Sequence, residues 1–160
     1  MSNLYAAEFP WCLEPLLVRS LTLSGVRPNC LVNCFSSDVE EVTCELLKWC
    51  GPSVRLCAMP GRLELPSNYE GTLVLTRIEE MSLDQQIALF DWMTTAHATV
   101  QVVSVATTRI DQFVKTGRFL EGLFYRLNVI RLDARSTRHV SPGLIDPRSF
   151  QCHAAGRSES

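Results

Sequence analysis

Several features that would quickly assign a chain to a class are missing from this sequence. It has no apolar run approaching the roughly eighteen residues that a membrane span needs, and no Cys-x-x-Cys pair. Its formal net charge is only -2, which argues against a nucleic-acid binder that works by bulk electrostatics. The first residues lack a basic stretch followed by an apolar run. We therefore expect no secretory signal, no direct DNA binding and no membrane partner.

The cysteines indicate a reducing compartment. They are seven, an odd number, and several lie inside apolar runs. We expect a cytoplasmic protein in which cysteine serves as a small core residue. A metal site built on Cys30, Cys34 and a distant Cys or His is the alternative, although structural zinc favours tightly paired ligands. The histidines, His97, His139 and His153, form no recognisable catalytic arrangement, so we predict neither a metal nor a catalytic residue.

Short apolar runs alternate with helix-like segments along most of the chain. Strands are predicted at 30–34, 54–58, 72–76, 100–106 and 128–132, and helices after 36–38, after 82, at 110–115 and at 119–127. Apolar strands separated by helices indicate βαβ units, and hence a three-layer α/β fold with a parallel sheet covered on both faces. The apolar pattern stops near Ala134. We therefore expect one domain over residues 1–133 and a flexible tail over 134–160.

Two helix starts carry capping-box spacing. The pairs are Ser37 with Glu40, Asp38 with Glu41, and Ser82 with Gln85. Behind the second start, Leu83, Ile87 and Phe90 form one apolar face of the predicted helix.

One order of segments goes beyond a generic α/β pattern. Residues 71–75 read Gly-Thr-Leu-Val-Leu, and a helix containing Gln86 and the strand 100–106 follow. Then 117–129 read Gly-Arg-Phe-Leu-Glu-Gly-Leu-Phe-Tyr-Arg-Leu-Asn-Val. This order closely resembles the central AAA+ domain of bacterial sigma-54-dependent transcription activators. The resemblance implies a trimmed P-loop NTPase core with a short parallel sheet.

The resemblance also covers the start of the chain. Residues 16–21 resemble the helix after the family's phosphate loop, and 29–34 resemble the family's second strand, which often ends Val-Asn-Cys. The phosphate loop then corresponds to 8–14. This stretch has no glycine, and Glu14 stands where the family has its lysine. A carboxylate there would repel a triphosphate, so we expect the phosphate cradle to be lost.

The other nucleotide positions of the family are altered as well. Its Walker B carboxylates correspond to Thr76 and Arg77, and its sensor asparagine corresponds to Thr107. Glu79 and Glu80 follow closely as alternative carboxylates, but they lie beyond the strand end. Phosphoryl transfer depends on positioning and charge neutralisation. We therefore expect a pseudo-ATPase that hydrolyses no ATP and needs no cofactor, although ATP and Mg²⁺ are expected in the family.

Two positions correspond to the family's arginines that reach a neighbouring subunit's phosphate. They are Leu120 and Arg126, so one arginine-finger-like residue is retained. A structural role for Arg126, tying its helix to the sheet or to a carboxylate, is the alternative. The family's sigma-contacting Gly-Ala-Phe-Thr-Gly-Ala insertion is missing, and we expect neither the helical lid nor the helix-turn-helix of longer members.

The function implied is that of a non-catalytic, transcription-regulator-like module acting through protein contacts. Its partner would be a sigma-54-dependent activator, sigma-54 itself or a second copy of the chain. Phe9, Trp11 and Leu13 would either be exposed near the former nucleotide cleft or fill it as core residues.

Two alternative functions remain open. One is a switch that binds ATP without hydrolysing it, with positive charge from Arg77, Arg118 and Arg126. The other is a remnant domain with little selected function.

Overall fold

This computed structural model describes residues 27–95 and 100–134 of the chain, where it contains five strands and four α-helices. The strands are β1 Cys30–Asn33, β2 Val54–Ala58, β3 Gly71–Thr76, β4 Val100–Ala106 and β5 Ile130–Asp133. The helices are α1 Val39–Trp49, α2 Leu83–Thr95, α3 Ile110–Lys115 and α4 Glu121–Leu127, with 3₁₀ helices at Ser36–Asp38 and Ile78–Glu80. The predicted order of strands and helices is confirmed.

The strands form one parallel sheet in the order β2-β3-β4-β1-β5. On β1, Val32 lies between Val105 of β4 and Leu132 of β5. All four residues of β1 are buried, as are six of the seven in β4. Parallel strands covered on both faces read as continuous apolar runs, which is the pattern that predicted them. The three-layer α/β prediction is confirmed.

Successive residues of each strand contribute to cores on opposite faces of the sheet. Under α1, the core comprises Cys30, Val32, Cys34, Val39, Val42, Leu46, Cys50, Val74, Val103, Val105, Leu132 and Ala134. Under α2, α3 and α4, it comprises Leu31, Cys57, Met59, Leu73, Leu75, Ile78, Met81, Leu89, Val102, Ala106, Ile110, Phe119, Leu123 and Leu127. Each fully buried Leu or Ile contributes about 1.5–3 kcal/mol relative to an exposed one.

Most of the described cysteines are core residues, as predicted. Cys30, Cys34, Cys50 and Cys57 are buried, whereas Cys44 on α1 is exposed, and Cys12 and Cys152 lie outside the described residues. Burial, reinforced by the charge of Cys50, raises the pKa of Cys30 from 9.0 to about 12. Burial likewise raises the pKa of Cys50 to about 11, against the opposing effect of Arg27. Both thiols therefore stay protonated at neutral pH.

The capping box at the start of α2 is confirmed. The Ser82 N–H donates to Gln85 Oε1 at 3.0 Å, and the Gln85 N–H donates to Ser82 Oγ at 3.2 Å.

The boxes predicted before α1 are not formed. The Asp38 side chain makes no capping hydrogen bond within the described part of the chain, and Ser37 Oγ donates to Asp38 Oδ1 at 3.1 Å. The 3₁₀ helix before α1 gives Asp38 a near-helical backbone, whereas a capping residue is typically extended.

The buried side of α2 is not the side that Leu83, Ile87 and Phe90 predicted. Leu83 and Ile87 are 54% and 44% exposed, whereas Gln86 and Leu89 are 1% and 0% exposed. Phe90 is partly buried at the boundary between the two sides.

The connection between β2 and β3, residues 59–70, contains no helix and lies against α2. Gln85 Nε2 donates to Gly61 O at 2.8 Å, and Trp92 Nε1 donates to Pro66 O at 2.9 Å. Leu63 and Leu65 of this connection pack on the core under α2, α3 and α4. These contacts tie the connection to α2.

Some predictions lie outside the described residues. They are the helix at 16–21 and the flexible tail, of which Ala134 alone is described.

Candidate functional site

The carboxyl ends of β1 and β4 form the edge at which the connections of the sheet diverge. From β1 the chain enters α1 on one face, whereas from β4 it enters α3 on the other. In open parallel sheets, ligands bind in the crevice at such a switch point. The candidate site therefore comprises the loop after β1 and the ends of β3 and β4, here called the carboxyl edge.

The strand that leads into this edge is β1, which sequence analysis matched to the family's second strand. β4 is paired with β3 on one side and with β1 on the other, so a strand leading into residues 8–14 could not pair with β4. A phosphate loop joins a strand to the following helix, and at this edge residues 34–38 join β1 to α1. The topology thus favours 34–38 over 8–14 as the counterpart of that loop. Glu14 lies outside the described residues, and its role stays a prediction.

The connection 34–38 lacks the residues that form a phosphate cradle. Phosphate loops span about eight residues with two glycines and a lysine, whose N–H groups and charge surround the phosphates. This connection is Cys-Phe-Ser-Ser-Asp, without glycine or lysine. The Cys34 N–H donates to Ala106 O at 3.0 Å and the Asp38 N–H donates to Phe35 O at 2.9 Å, so two amides are already engaged. The residues of this connection do not fit the phosphates of a nucleoside triphosphate.

The end of β3 places a cation at the carboxyl edge. Thr76 is buried in the strand, and Arg77 follows in a left-handed conformation with φ of 55°. Arg77 Nη1 donates to Ser36 Oγ at 3.1 Å and lies 3.9 Å from Glu80 Oε1. Arg77 thus bridges the end of β3 to the loop after β1, at a place where the resemblance puts one of the two Walker B carboxylates.

A carboxylate nevertheless reaches the sensor position. The 3₁₀ turn after Arg77 brings Glu79 to the end of β4, where Glu79 Oε1 accepts hydrogen bonds from the Thr107 N–H, at 3.0 Å, and from Thr107 Oγ1. The sequence placed Glu79 beyond the strand and gave no sign of this contact. Since Oε1 is engaged by two donors, the pair ties β3 to β4.

Asn33 is a residue of this edge that sequence analysis missed. It ends β1 with 1% exposure, and among the described residues neither its Nδ2 nor its Oδ1 has a hydrogen-bond partner. An unsatisfied buried polar group costs about 1–3 kcal/mol. The sequence signal that could have found Asn33 is an amide side chain at the end of an otherwise apolar strand.

Arg126 lies away from the carboxyl edge. Its guanidinium carbon is 4.7 Å from the centre of the Phe90 ring on α2, a cation–π contact. Its backbone carbonyl accepts a hydrogen bond from Asn29 Nδ2 at 2.9 Å, just before β1, so it lies at the amino edge of the sheet. The side chain ties α4 to α2 through an aromatic ring, whereas the structural alternative expected a tie to the sheet or to a carboxylate.

The other arginine-finger position, Leu120, belongs to a buried polar contact. The Leu120 N–H donates to Gln86 Oε1 at 2.9 Å, and Gln86 Nε2 donates to Met81 O and Arg118 O, both at 3.1 Å. The Arg118 guanidinium itself stacks 4.4 Å from the centre of the Phe113 ring. Gln86 therefore anchors the segment before α4 to α2.

Comparison with known families decides the relationship. The family model described as "Sigma-54 interaction domain" matches residues 48–135, more than half of the chain. This chain belongs to the sigma-54 interaction domain family. A comparison with curated protein sequences gives no match.

The fold of this sigma-54 interaction domain is also that of solved structures. NtrX from Brucella abortus in complex with ATP matches with a TM-score of 0.61 and 12% identity, over 88% of this chain and 41% of that one. NtrX from Brucella abortus in complex with ADP matches with a TM-score of 0.61 and 14% identity, over 88% and 40%. At this identity the likeness concerns the fold. The chain spans about two fifths of the length of these NtrX chains.

The remaining candidates of this sigma-54 interaction domain add no second site. No group of three or more His, Cys, Asp or Glu residues suited to a metal is present in the described ranges. Within the same ranges, no helix is long and apolar enough to cross a membrane. Phe9, Trp11, Leu13 and the three histidines lie outside the described residues.

Proposed function

We propose that this sigma-54 interaction domain is non-catalytic and acts through protein contacts. The observation that carries the proposal is the connection 34–38, which is short, lacks glycine and lysine, and already uses two of its amides. Phosphoryl transfer requires a positioned triphosphate and metal before any other group matters. A domain without the cradle cannot begin that reaction.

The charges at the carboxyl edge support the same proposal. Arg77 and Glu80 are 3.9 Å apart, and Glu79 is engaged with Thr107. Of the arginines that a nucleotide switch would need, Arg77 lies at this edge, whereas Arg118 and Arg126 stack on aromatic rings elsewhere. The positive charge is dispersed rather than gathered around one ligand.

The chain also lacks the family's route to sigma-54 remodelling. The connection of residues 59–70 between β2 and β3 contains no helix, so it offers no base for the family's insertion. We propose that the domain modulates transcription by docking on an activator, on sigma-54 or on a second copy, rather than by driving sigma-54 with ATP.

Nucleotide chemistry is tested with the full 160-residue chain and ATP–Mg²⁺. Phosphate release should stay at the level of a protein-free blank, while an intact sigma-54-dependent activator serves as the positive control. Release that disappears in Glu79→Gln would overturn the proposal, because a contaminating ATPase would not respond to that change. Saturable ATP binding without release would instead favour the switch.

Contact with other proteins is tested by affinity capture of the tagged chain from its own cells, followed by mass spectrometry. Enrichment of a sigma-54-dependent activator, of sigma-54 or of untagged copies of this chain over a tag-only control is the expected result. Enrichment of none of them would contradict the contact function and leave the remnant alternative ahead.

A further inference from the structure

The two edge strands of the sheet differ on the face that α1 covers. On β2 this face carries Leu56, which alternates with a residue of the opposite core and is 49% exposed. On β5 it carries Leu132, 3% exposed, and just beyond the strand Ala134, 2% exposed. Arg131 and Asp133, on the opposite face of β5, are exposed. The α1 face of β5 is therefore covered by other residues, whereas that of β2 is open.

α1 does not supply the cover over β5. It joins β1 to β2, and in the order β2-β3-β4-β1-β5 the strands between them are β3 and β4. A helix is about 10–12 Å wide and strands lie about 4.7–4.9 Å apart, so one helix covers about two strands. β5 lies on the other side of β1. We call the area formed by Cys30, Val32, Leu132 and Ala134 the β5 side of the α1 face.

The start of the described chain indicates which residues cover this area. Asn29 O accepts a hydrogen bond from the Ile130 N–H at 3.1 Å, so the chain enters β1 beside the start of β5. A Cβ added at Gly51, just after α1, would lie 3.0 Å from Arg27 Nη1, so Arg27 reaches the end of α1. The residues before Arg27 therefore lead to β1 from a point between α1 and β5.

The sequence before Arg27 contains the side chains for such a cover. Leucines recur there at the three- and four-residue spacing of one helix face, namely Leu13, Leu16, Leu17 and Leu21. Ten residues of helix, such as 13–22, are about 15 Å long, and five residues of strand, such as 30–34, are about 16 Å long. A helix over 13–22 therefore matches the height of β1, and 23–26 remain for the turn into the strand.

The sequence beyond Ala134 fits this area less well. Its apolar residues include Val140, Leu144, Ile145 and Phe150, and these do not lie on one face of a helix. Prolines at 142 and 147 separate them and disfavour a continuous helix. The N-terminal segment is therefore the better candidate.

We propose that residues 13–22 dock as a helix on the β5 side of the α1 face, beside α1 and antiparallel to β1. The leucine stripe then faces Leu132 and Cys30. Because the helix runs from the carboxyl edge to the amino edge, it brings the preceding residues Phe9 and Trp11 to the carboxyl edge. The inference goes beyond the proposed function, since the helix docks in this way whether or not the domain hydrolyses ATP.

Hydrogen exchange of the full 160-residue chain, followed by mass spectrometry, tests the docking without any substitution. The amides of residues 17–22 should exchange at least about a hundredfold more slowly than those of a free peptide with the same sequence, because a docked helix exchanges only when it opens. Exchange at the rate of the free peptide would overturn the proposal.

The place of docking is tested by the reactivity of thiols under each face of the sheet. Cys30 belongs to the α1 core and Cys57 to the opposite core, and both are buried. In Leu17→Asp, alkylation of Cys30 by iodoacetamide near pH 8 should become at least about tenfold faster, because exposure removes the burial that raises the pKa of this thiol. Alkylation of Cys57 should stay slow, which distinguishes undocking from unfolding of the whole domain.

Two further variants complete the test. Val18→Asp is the matched control, because it adds the same charge to the same segment outside the leucine stripe, and it should leave Cys30 protected. Leu17→Ala should speed alkylation of Cys30 by a smaller factor, and it replaces Leu17→Asp if that variant also exposes Cys57.

Equal effects of Leu17→Asp and Val18→Asp would contradict the docking site, and so would a protected Cys30 in both Leu17 variants. Exposure of Cys30 on removal of residues 139–160 in place of the Leu17 substitutions would make the C-terminal segment the cover and the proposal wrong. None of these results affects the non-catalytic proposal, which the phosphate-release assay tests separately.

Discussion

The face of the sheet under α1 and the face under α2, α3 and α4 are packed with different residues. The α1 core relies on cysteine and valine, with Leu46 and Leu132 as its largest fully buried members. The opposite core contains eight buried leucine or isoleucine residues in addition to Phe119, and it is covered by three helices and the connection 59–70. Larger side chains require a thicker covering layer, since interiors are packed without large voids.

The thicker face also carries exposed apolar side chains. A helix that packs on a sheet buries one side, and α2 has apolar residues on two. The α1 face shows no comparable surface in the described residues, where Leu56 is the exposed large hydrophobic outside α2, α4 and their flanks. Covering by several helices therefore stabilises the fold and still leaves apolar side chains in solvent.

The largest expected effect separates the two sides of α2. Leu89→Ala should lower the free energy of unfolding by about 3 kcal/mol, because it opens a cavity in the core. Ile87→Ala on the same helix should change it by no more than about 0.5 kcal/mol, because its side chain is largely in solvent. Urea titration at the lowest usable protein concentration measures both. Equal costs would mean that the outer side of α2 is covered within the protomer.

The next effect belongs to the α1 face and depends on pH. The pKa values of Cys30 and Cys50 are raised to about 12 and about 11, so the folded state keeps both protons when the unfolded state begins to lose them near pH 9. Their contribution is therefore complete below pH 9 and is lost as the pH rises towards 11 and 12.

Stability should fall across this range by at most about 1.4 kcal/mol per pH unit for each thiol. Urea titrations at several pH values measure the slope, which should be shallower in Cys30→Ala and unchanged in Cys44→Ala, whose side chain is exposed. An unchanged slope in Cys30→Ala would show that this thiol is not protected by the α1 core.

The smallest effect concerns the carboxyl edge, where both faces end. Arg77 has a φ of 55°, a conformation that costs about 1 kcal/mol for a residue with a Cβ. Arg77→Gly and Arg77→Ala lose the same contacts with Ser36 and Glu80, but the glycine variant should be more stable by about 1 kcal/mol. Thermal unfolding of the pair measures the difference. If the alanine variant were as stable as the glycine variant, residue 77 would not have the positive φ on which this prediction depends.

Much of the fold follows from local sequence. The apolar runs gave the strands to within one or two residues, and the Ser82–Gln85 spacing gave a capping box that forms. The boxes before α1 failed because a 3₁₀ helix takes up Ser36–Asp38, which capping-residue spacing does not reveal. The resemblance carried by 117–129 predicted the family that residues 48–135 match.

The candidate site was less accessible to sequence reasoning. Sequence analysis placed Thr76, Arg77 and Thr107 at strand ends, and they lie there. The contacts of Glu79 with Thr107 and of Arg126 with Phe90 join residues far apart in the chain. No periodicity encodes such contacts, because they depend on how the helices pack on the sheet. The counterpart of the phosphate loop likewise depended on strand order.

By itself, the sequence determined the order of strands and helices, the parallel α/β class and the family, because apolar periodicity and an unusual segment are local properties of a chain. Only the tertiary structure decided that β1 lies between β4 and β5, that Glu79 returns to β4, and that α2 buries Gln86 while leaving Ile87 outside. Gln86 is buried because three backbone groups of other segments satisfy its amide, and such partners exist only once the chain has folded.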